Sequence, residues 1–519
     1  EWQTQASCEA PAIASIHCGQ TPSVVADYDG VLHAVFAFAD RVYYTRSDDG
    51  GDRFSLPTAV NATPEPIYSR GENRPKIALD DSGRIYASWS KKTEGRFNGD
   101  VRFSRSTDRG KTFSPPVTVN EDGLLTTHRF DTLAVDRRGD VYLAWIDKRD
   151  KVRAREAGEH YAGAAIYYAV STDGGLSFDA NRKLVDNSCE CCRLAAHATP
   201  GADGITLMWR HIFTGSIRDH AIAHVDGRRT AAPAIARASI DDWKIDACPH
   251  HGPAIASSAA KGESHMVWFS NGQSRRGIHY GQFSKEGVSA LSAVDGSASA
   301  SHADILRTGD TLQIVWKKTR PNRTEIMLMT SRDRGATWES SRAILSTDAG
   351  SDYPFLVAQR DAATVVWKTA DRLIVAPLIT PEPAIRTFTR QSLRDIESRI
   401  GQAAHVVMLW SVDCPPCLKD LALLSEIQAE HGTQPVTLIA TDPLSAAESV
   451  KDYLSQFALR RNESWVSGLD TDQLRAAVDP DWFGELPRTY MYDRGVRKGV
   501  SGQIKADDLR AWLKLGKPN

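Results

Sequence analysis

The sequence predicts a multidomain chain, with an all-β propeller over residues 1–380 and an α/β domain over residues 381–519. Three observations carry this. A Ser-x-Asp-x-Gly-x-x-aromatic segment occurs four times, apolar strands ending in Trp recur at a steady interval, and both patterns stop near Pro381-Glu382-Pro383. Beyond that point helical and strand segments alternate. A chain of 519 residues is in any case too long for one ordinary core.

The four segments are Ser47-Asp49-Gly51-Phe54, Ser106-Asp108-Gly110-Phe113, Ser171-Asp173-Gly175-Phe178 and Ser331-Asp333-Gly335-Trp338. Each follows a β-rich run such as Val42-Tyr43-Tyr44 or Ile166-Tyr167-Tyr168. Physically this is a hairpin turn. Ser and Asp bond local backbone amides, Gly takes a conformation closed to other residues, and the aromatic pins the turn to its sheet.

The second periodicity is independent of the first. Apolar strands end in Trp89, Trp145, Trp209, Trp268, Trp316 and Trp367, with Phe36 in that place in the first unit. The interval of roughly 50 to 60 residues is near that of a four-stranded blade. A short apolar strand precedes each Trp strand, as in Lys76-Ile77-Ala78-Leu79 and Thr132-Leu133-Ala134-Val135. Seven units result, beginning near Ser23, Pro75, Asp131, Leu194, Pro253, Ala303 and Phe355. The last is short, ending near Pro377, which leaves room for a strand borrowed from the N-terminus to close the ring.

The repeated segments are similar to the Asp-boxes of the bacterial neuraminidase repeat family, which lie on β-propeller blades. A six-bladed ring with extra flanking strands, as in sialidases, is the alternative to seven blades. Sialidases clamp a substrate carboxylate with three arginines and use a Tyr nucleophile supported by a Glu, with an acid Asp. Arg74, Arg129, Arg193 and Tyr353 hold suitable loop positions, but the family's early Arg-Ile-Pro segment is absent and no Tyr/Glu pair stands out. A sialidase-like glycoside hydrolase is therefore the weakest functional reading, because the blades speak for fold and not for chemistry. The Asp-box aspartates are turn-formers.

In the second domain Ser392–Ile400 reads as a helix and His405–Trp410 as a buried strand. A helix follows Cys414 with Leu418, Leu421, Leu424 and Ile427 on one stripe; residues 436–440 form the next strand and 445–459 another amphipathic helix. The Cys414-Pro415-Pro416-Cys417 motif thus stands just after a buried strand and opens a helix. A helix N-terminus stabilises a thiolate on the first Cys, so Cys414 is the nucleophile. Cys417, one turn on, resolves the mixed disulfide.

Leu409-Trp410-Ser411-Val412-Asp413 before the motif, and Gly484-Glu485-Leu486-Pro487-Arg488-Thr489 further on, resemble the periplasmic thioredoxin-like reductases (TlpA-like proteins). The resemblance covers roughly residues 385 to 519, including a strand and hairpin turn at Tyr490-Met491-Tyr492-Asp493-Arg494-Gly495. It implies a thioredoxin-like fold and a thiol-disulfide oxidoreductase acting on protein thiols or disulfides. No cofactor is required for the exchange, and an unidentified electron donor is implied. It also implies a cis proline at Pro487 beside the active disulfide, where its neighbour's backbone holds the substrate strand. Two departures matter. Asp413 replaces the aromatic that usually precedes the first Cys, and a carboxylate there disfavours the thiolate. The buried acid that assists proton transfer in thioredoxin falls near Met408, which cannot serve. A zinc half-site or a structural disulfide is the plain alternative.

The other cysteines are Cys8 and Cys18, then Cys189, Cys191, Cys192 and Cys248. Cys189-Glu190-Cys191-Cys192-Arg193 and Cys248-Pro249-His250-His251-Gly252-Pro253 immediately precede the innermost strands of units four and five. In a propeller such loops converge on one mouth of the central channel. The same positions elsewhere hold Cys18, Arg74, His128-Arg129, His302 and Asp352-Tyr353. Thiolates with imidazoles are ligands for Cu(I) and Zn(II), so Cys189, Cys191, Cys192, Cys248, His250 and His251 are candidate metal ligands. The tight Cys-x-Cys-Cys spacing suits a thiolate clamp and favours Cu(I) over Zn. Disulfides are the alternative: Cys8 with Cys18, and Cys248 with one member of the triplet. In a combined reading, the second domain reduces these cysteines and keeps the propeller site competent.

Composition narrows the rest. Apolar content of 41% and charged content of 25% are those of a soluble globular protein. A net charge of −2 gives no reason to expect nucleic acid or an anionic membrane as partner. No apolar run is long enough for a transmembrane segment. The chain starts at Glu1 without Met, which together with the cysteine groups suggests a removed signal peptide and a bacterial periplasm or other exported location. Lys148-Arg149-Asp150-Lys151 reads as a solvated loop, His405 as a packed or edge histidine, and the Trp series as core packing.

Overall fold

The computed structural model describes residues 2–3, 8, 14–198, 203–257, 263–359, 362–378, 385–400, 404–431, 435–457, 459 and 462–513. The chain divides into two compact units, Glu1–Leu378 and Ile379–Asn519. Pro381-Glu382-Pro383 lies outside the described residues.

The first unit is a seven-bladed propeller. Six antiparallel sheets of four strands span residues 20–59, 76–118, 128–188, 195–237, 254–295 and 300–347. A seventh contains Phe355–Gln359, Ala362–Lys368 and Leu373–Pro377. The innermost strands touch one another in sequence, and Phe355–Gln359 closes the circle against Gln20–Ala26. Seven sheets exclude the six-bladed alternative. The second strand of each blade is buried on both faces between its neighbours, so it reads as a continuous apolar run. Trp89, Trp145, Trp209, Trp268, Trp316 and Trp367 are all fully buried there. Their indole N–H groups find partners, among them Glu65 Oε1 for Trp89 at 2.7 Å and Asp241 Oδ2 for Trp268 at 2.7 Å.

No N-terminal strand joins the seventh blade among the described residues. Trp2–Gln3 instead pairs antiparallel with Phe54–Ser55 of the first blade, whose own fourth strand, Thr58–Ala59, is already in place. The following segment still helps to close the ring. Ala14 and Ile16 pack in one cluster with Val357, Val366 and Leu373, and His17 Nδ1 accepts from the Leu373 amide at 3.3 Å. Cys8 and Cys18 are joined in a disulfide.

The four Asp-box turns share one geometry. In the second blade Ser106 Oγ donates to Asp108 Oδ1 at 2.8 Å and accepts from the Gly110 amide at 2.9 Å, while Asp108 Oδ1 accepts from the Thr112 amide at 2.9 Å. The aromatic reaches beyond its own sheet. Phe113 packs on Tyr44, Phe178 on Phe103 and Trp338 on Tyr280, each in the preceding blade, at 4.7 to 5.5 Å. The motif glycine sits against the same neighbour: a Cβ at Gly110 would lie 2.0 Å from Tyr44. Gly51 abuts Val375 in the same way, so an Asp-box also locks the seventh blade to the first.

The second unit is a six-stranded mixed sheet. Its order is Arg386–Phe388, Glu463–Ser467, Val436–Pro443, His405–Trp410, Arg488–Asp493 and Val496–Ser501. The first four are parallel and the last two antiparallel. Helices Pro415–His431 and Ala447–Gln456 contribute to one core cluster, with Leu421, Leu424, Ile427, Val450 and Leu454 fully buried. Ser392–Ile400 and Thr471–Val478 contribute to another. No helix among the described residues is long and apolar enough to cross a membrane.

Candidate functional site

Cys414 and Cys417 form a disulfide at the N-terminal end of helix Pro415–His431, directly after the central strand His405–Trp410. The turn between them is held by Asp442, whose carboxylate accepts from Ser411 Oγ at 2.9 Å and the Val412 amide at 3.2 Å. The two sulfurs differ in access. Cys417 is fully buried in the core, whereas Cys414 is half-buried and only packs against its edge. The Cys417 amide points at Cys414 Sγ at 3.2 Å, so the helix end presents a donor to that sulfur. Asp413 is exposed.

The Leu486–Pro487 peptide is cis. Strand Arg488–Asp493 runs antiparallel to His405–Trp410 with Leu409 opposite Arg488, which carries Pro487 toward the end of the strand leading into Cys414. Trp482 fixes the loop, donating from Nε1 to the Glu485 carbonyl at 2.8 Å. Met408 is buried and offers no proton acceptor. A carboxyl group absent from the sequence reading is Asp420, three residues after Cys417 on the same helix and almost wholly buried. Burial pushes its pKa up to about 6, against a hydrogen bond from the Ile504 amide that lowers it. Its sequence signal is a lone acid on an otherwise apolar helix stripe.

The propeller holds a second group. Cys189, Cys191 and Cys192 occupy the turn between Arg182–Ser188, the outer strand of the third blade, and Ala195–Ala198, the inner strand of the fourth. All three are free and buried. Their sulfurs lie within 4.8 Å of one another, with Cys189 at 3.8 Å from Cys191 and 3.7 Å from Cys192. Hydrogen bonds from Cys191 and Cys192 hold the Cys189 thiol far below the usual range, whereas the same contacts push Cys191 up. Arg218 Nη1 stands 3.6 Å from Cys189 Sγ.

The turn is braced from the third blade. Lys148, Arg149, Asp150 and Lys151 are not a solvated loop: Arg149 begins the helix Arg149–Glu156 and is buried on Asp147. Lys148 and Lys151 each hold the Glu190 carboxylate at 2.6 Å, which turns that acid toward the helix.

Of the six candidate metal ligands, the structure gathers three. Cys248 is free but exposed, so it makes no disulfide with the triplet. His250 is exposed, with φ of 54°. His251 stacks on Phe269 at 4.1 Å and faces His302 at 5.0 Å; none of these joins the group of ligand atoms around the thiols.

The loops entering the inner strands do meet, through charge. Glu72, missed in the sequence, accepts from the Arg193 amide at 3.0 Å, Arg193 Nη1 at 3.1 Å and the Gly252 amide at 2.7 Å. Arg74 binds both oxygens of Asp352 at 2.9 Å. Tyr353 lies under Arg74 at 3.9 Å, and His302 is stacked on it at 5.1 Å. The only sign of Glu72 in the sequence was its place two residues before Arg74. Cys18 is in its disulfide, and His128 is fully buried between the Gly99 carbonyl at 2.9 Å and Asp122 at 3.2 Å.

No family model matches the chain, and no curated protein matches it. Among solved structures the chain is similar to an ulvan lyase, a polysaccharide lyase, at 12% identity and TM-score 0.46, covering 72% of this chain and 94% of that one. It is similar to the NanB sialidase of Streptococcus pneumoniae at 11% identity and TM-score 0.39, covering 69% and 89%. A secreted Mycobacterium tuberculosis disulfide oxidoreductase, homologous to E. coli DsbE, matches at 17% identity and TM-score 0.19, covering 22% of this chain and 84% of that one. None of these likenesses carries a residue or an activity to this chain.

Proposed function

We propose that the second unit is a thioredoxin-like thiol-disulfide oxidoreductase acting on external protein disulfides, and that the propeller carries its substrate or metal site. The observation that carries this reading is the asymmetry of the Cys414–Cys417 pair: one sulfur half-exposed at a helix N-terminus, its partner wholly buried behind it. In the reduced enzyme the Cys414 thiolate attacks a protein disulfide, forming a mixed disulfide and expelling one substrate thiolate. The Cys417 thiol then loses its proton and attacks Cys414 Sγ. The enzyme disulfide forms and the second substrate thiol leaves. Two electrons have passed to the substrate, and an external dithiol donor restores them. Asp420, with its raised pKa, is suited to take the Cys417 proton near neutral pH. Pro487 is assigned to the substrate-holding edge of the site.

The Cys8–Cys18 disulfide supports an exported, oxidising location such as a periplasm. A second reading is favoured by the three unpaired thiols beside two formed disulfides: the redox unit maintains Cys189, Cys191 and Cys192, and the propeller binds a metal or a protein. A sialidase-like hydrolase has less support, because Arg74 and Arg193 are already committed to Asp352 and Glu72.

Turnover of insulin disulfides by the full chain with a dithiol reductant tests the first reading. The wild type accelerates it and Cys414→Ser does not. If wild type and variant are equally inert, and the propeller thiols of the variant oxidise on storage, the maintenance reading stands instead.

A further inference from the structure

We propose that Cys189, Cys191 and Cys192 form a mononuclear Cu(I) site of three thiolates with no other protein ligand. It stands apart from the oxidoreductase reading and needs neither Cys414 nor Cys417.

Geometry comes first. A metal–sulfur bond of about 2.3 Å sets thiolates on one ion roughly 3.8 to 4.0 Å apart. Two of the three separations, 3.8 and 3.7 Å, already meet that spacing, and the third lies within 4.8 Å. The three sulfurs are buried, and none is spent in a disulfide although two other cysteine pairs are.

The number of ligands selects the ion. Among the described residues, no fourth Cys, His or carboxylate atom joins the group within 4.8 Å. The one carboxylate in the turn, Glu190, is held away by Lys148 and Lys151. Structural zinc wants four protein ligands, and catalytic zinc wants three plus water, which a buried pocket does not supply. Cu(I) is soft and well matched to thiolate alone.

Charge points the same way. Arg218 Nη1 lies 3.6 Å from Cys189 Sγ. A guanidinium at that distance favours the more anionic complex. Three thiolates on a monovalent ion leave a larger negative charge than the same three on a divalent one. Each ion bound displaces the thiol protons into solvent, so affinity rises with pH.

The test uses the full chain carrying Cys414→Ser and Cys417→Ser, so that loss of oxidoreductase activity has no bearing on the result. The reduced protein is titrated anaerobically with Cu(I) against a chromophoric Cu(I) chelator, and the complex is examined by X-ray absorption. The expected result is a single equivalent of Cu(I), a near-ultraviolet thiolate charge-transfer band, and a shell of sulfur without nitrogen or oxygen. Cys248→Ser retains it and Cys191→Ser loses it. The shell measured on intact thiols stands even if Cys191→Ser misfolds. No Cu(I) retained against the chelator, nitrogen in the shell, dependence on Cys248, or displacement of Cu(I) by equimolar Zn(II) would each overturn the proposal.

Discussion

The Glu72 carboxylate, on the loop entering the second blade, takes both the main-chain amide and the Nη1 of Arg193, which enters the fourth blade 121 residues later. Glu72 is buried and the Arg193 side chain only 13% exposed, so the pair ties together loops that no ladder connects. Breaking a buried pair strands the remaining charge, at a cost of about 3–5 kcal/mol. Glu72→Ala is expected to lower propeller stability by that amount in urea unfolding. Arg334→Ala, which removes the exposed Arg334–Asp310 pair, should leave the midpoint where it is.

Gly110 tests the interlock between blades. Its φ of 82° and the 2.0 Å approach of Tyr44 leave no space for a side chain. Left-handed strain and overpacking together predict that Gly110→Ala destabilises by about 2–4 kcal/mol. Gly123→Ala, at φ of 67° with nothing within 4 Å, isolates the strain alone and should cost less. Thermal melts of the two variants check the difference.

His251 and His302 make the propeller sensitive to acid. Burial lowers their pKa values to about 4 and about 3, against 6.5 when unperturbed. The unfolded chain therefore binds their protons first as pH falls. Their contribution to stability is whole above 6.5 and is lost as pH drops through 4 to 3. Unfolding midpoints measured from pH 7 downward should fall over this window, less steeply in His302→Gln.

Asp420 has the opposite sign. With a folded pKa near 6, raised by burial from 3.8, its neutral form is the one the fold prefers. Stability is highest below 3.8 and declines as pH rises through 6. Asp420→Asn is expected to stabilise the second unit by about 3 kcal/mol at pH 7.5 and by little at pH 4. It should also slow disulfide exchange near neutrality while leaving the reaction possible. Calorimetry at the two pH values and a pH–rate profile separate the effects.

The propeller was legible because its signals are local and repeated. Ser106, Asp108 and Gly110 build their turn from neighbours in sequence, and each buried Trp marks a strand enclosed on both faces. The convergence of Arg74, Arg193 and Tyr353 followed from topology, since loops before inner strands share one mouth. What escaped depends on long-range choices. Trp2–Gln3 pairs with Phe54–Ser55 in a two-stranded sheet of its own, which no motif announces. Cys248 and Cys189 both precede inner strands, yet burial separates them. Lys148 and Lys151 gained their role from Glu190, and Asp420 from the apolar residues around it.

The most direct test of the oxidoreductase reading is capture of the mixed disulfide. Full-length Cys417→Ser, reduced and then mixed with a disulfide-bonded protein, should accumulate an adduct that mass spectrometry assigns to Cys414 and that a reductant releases. Cys414→Ser should form none. An adduct on Cys189, Cys191, Cys192 or Cys248 in place of Cys414, or no adduct at all, would contradict it.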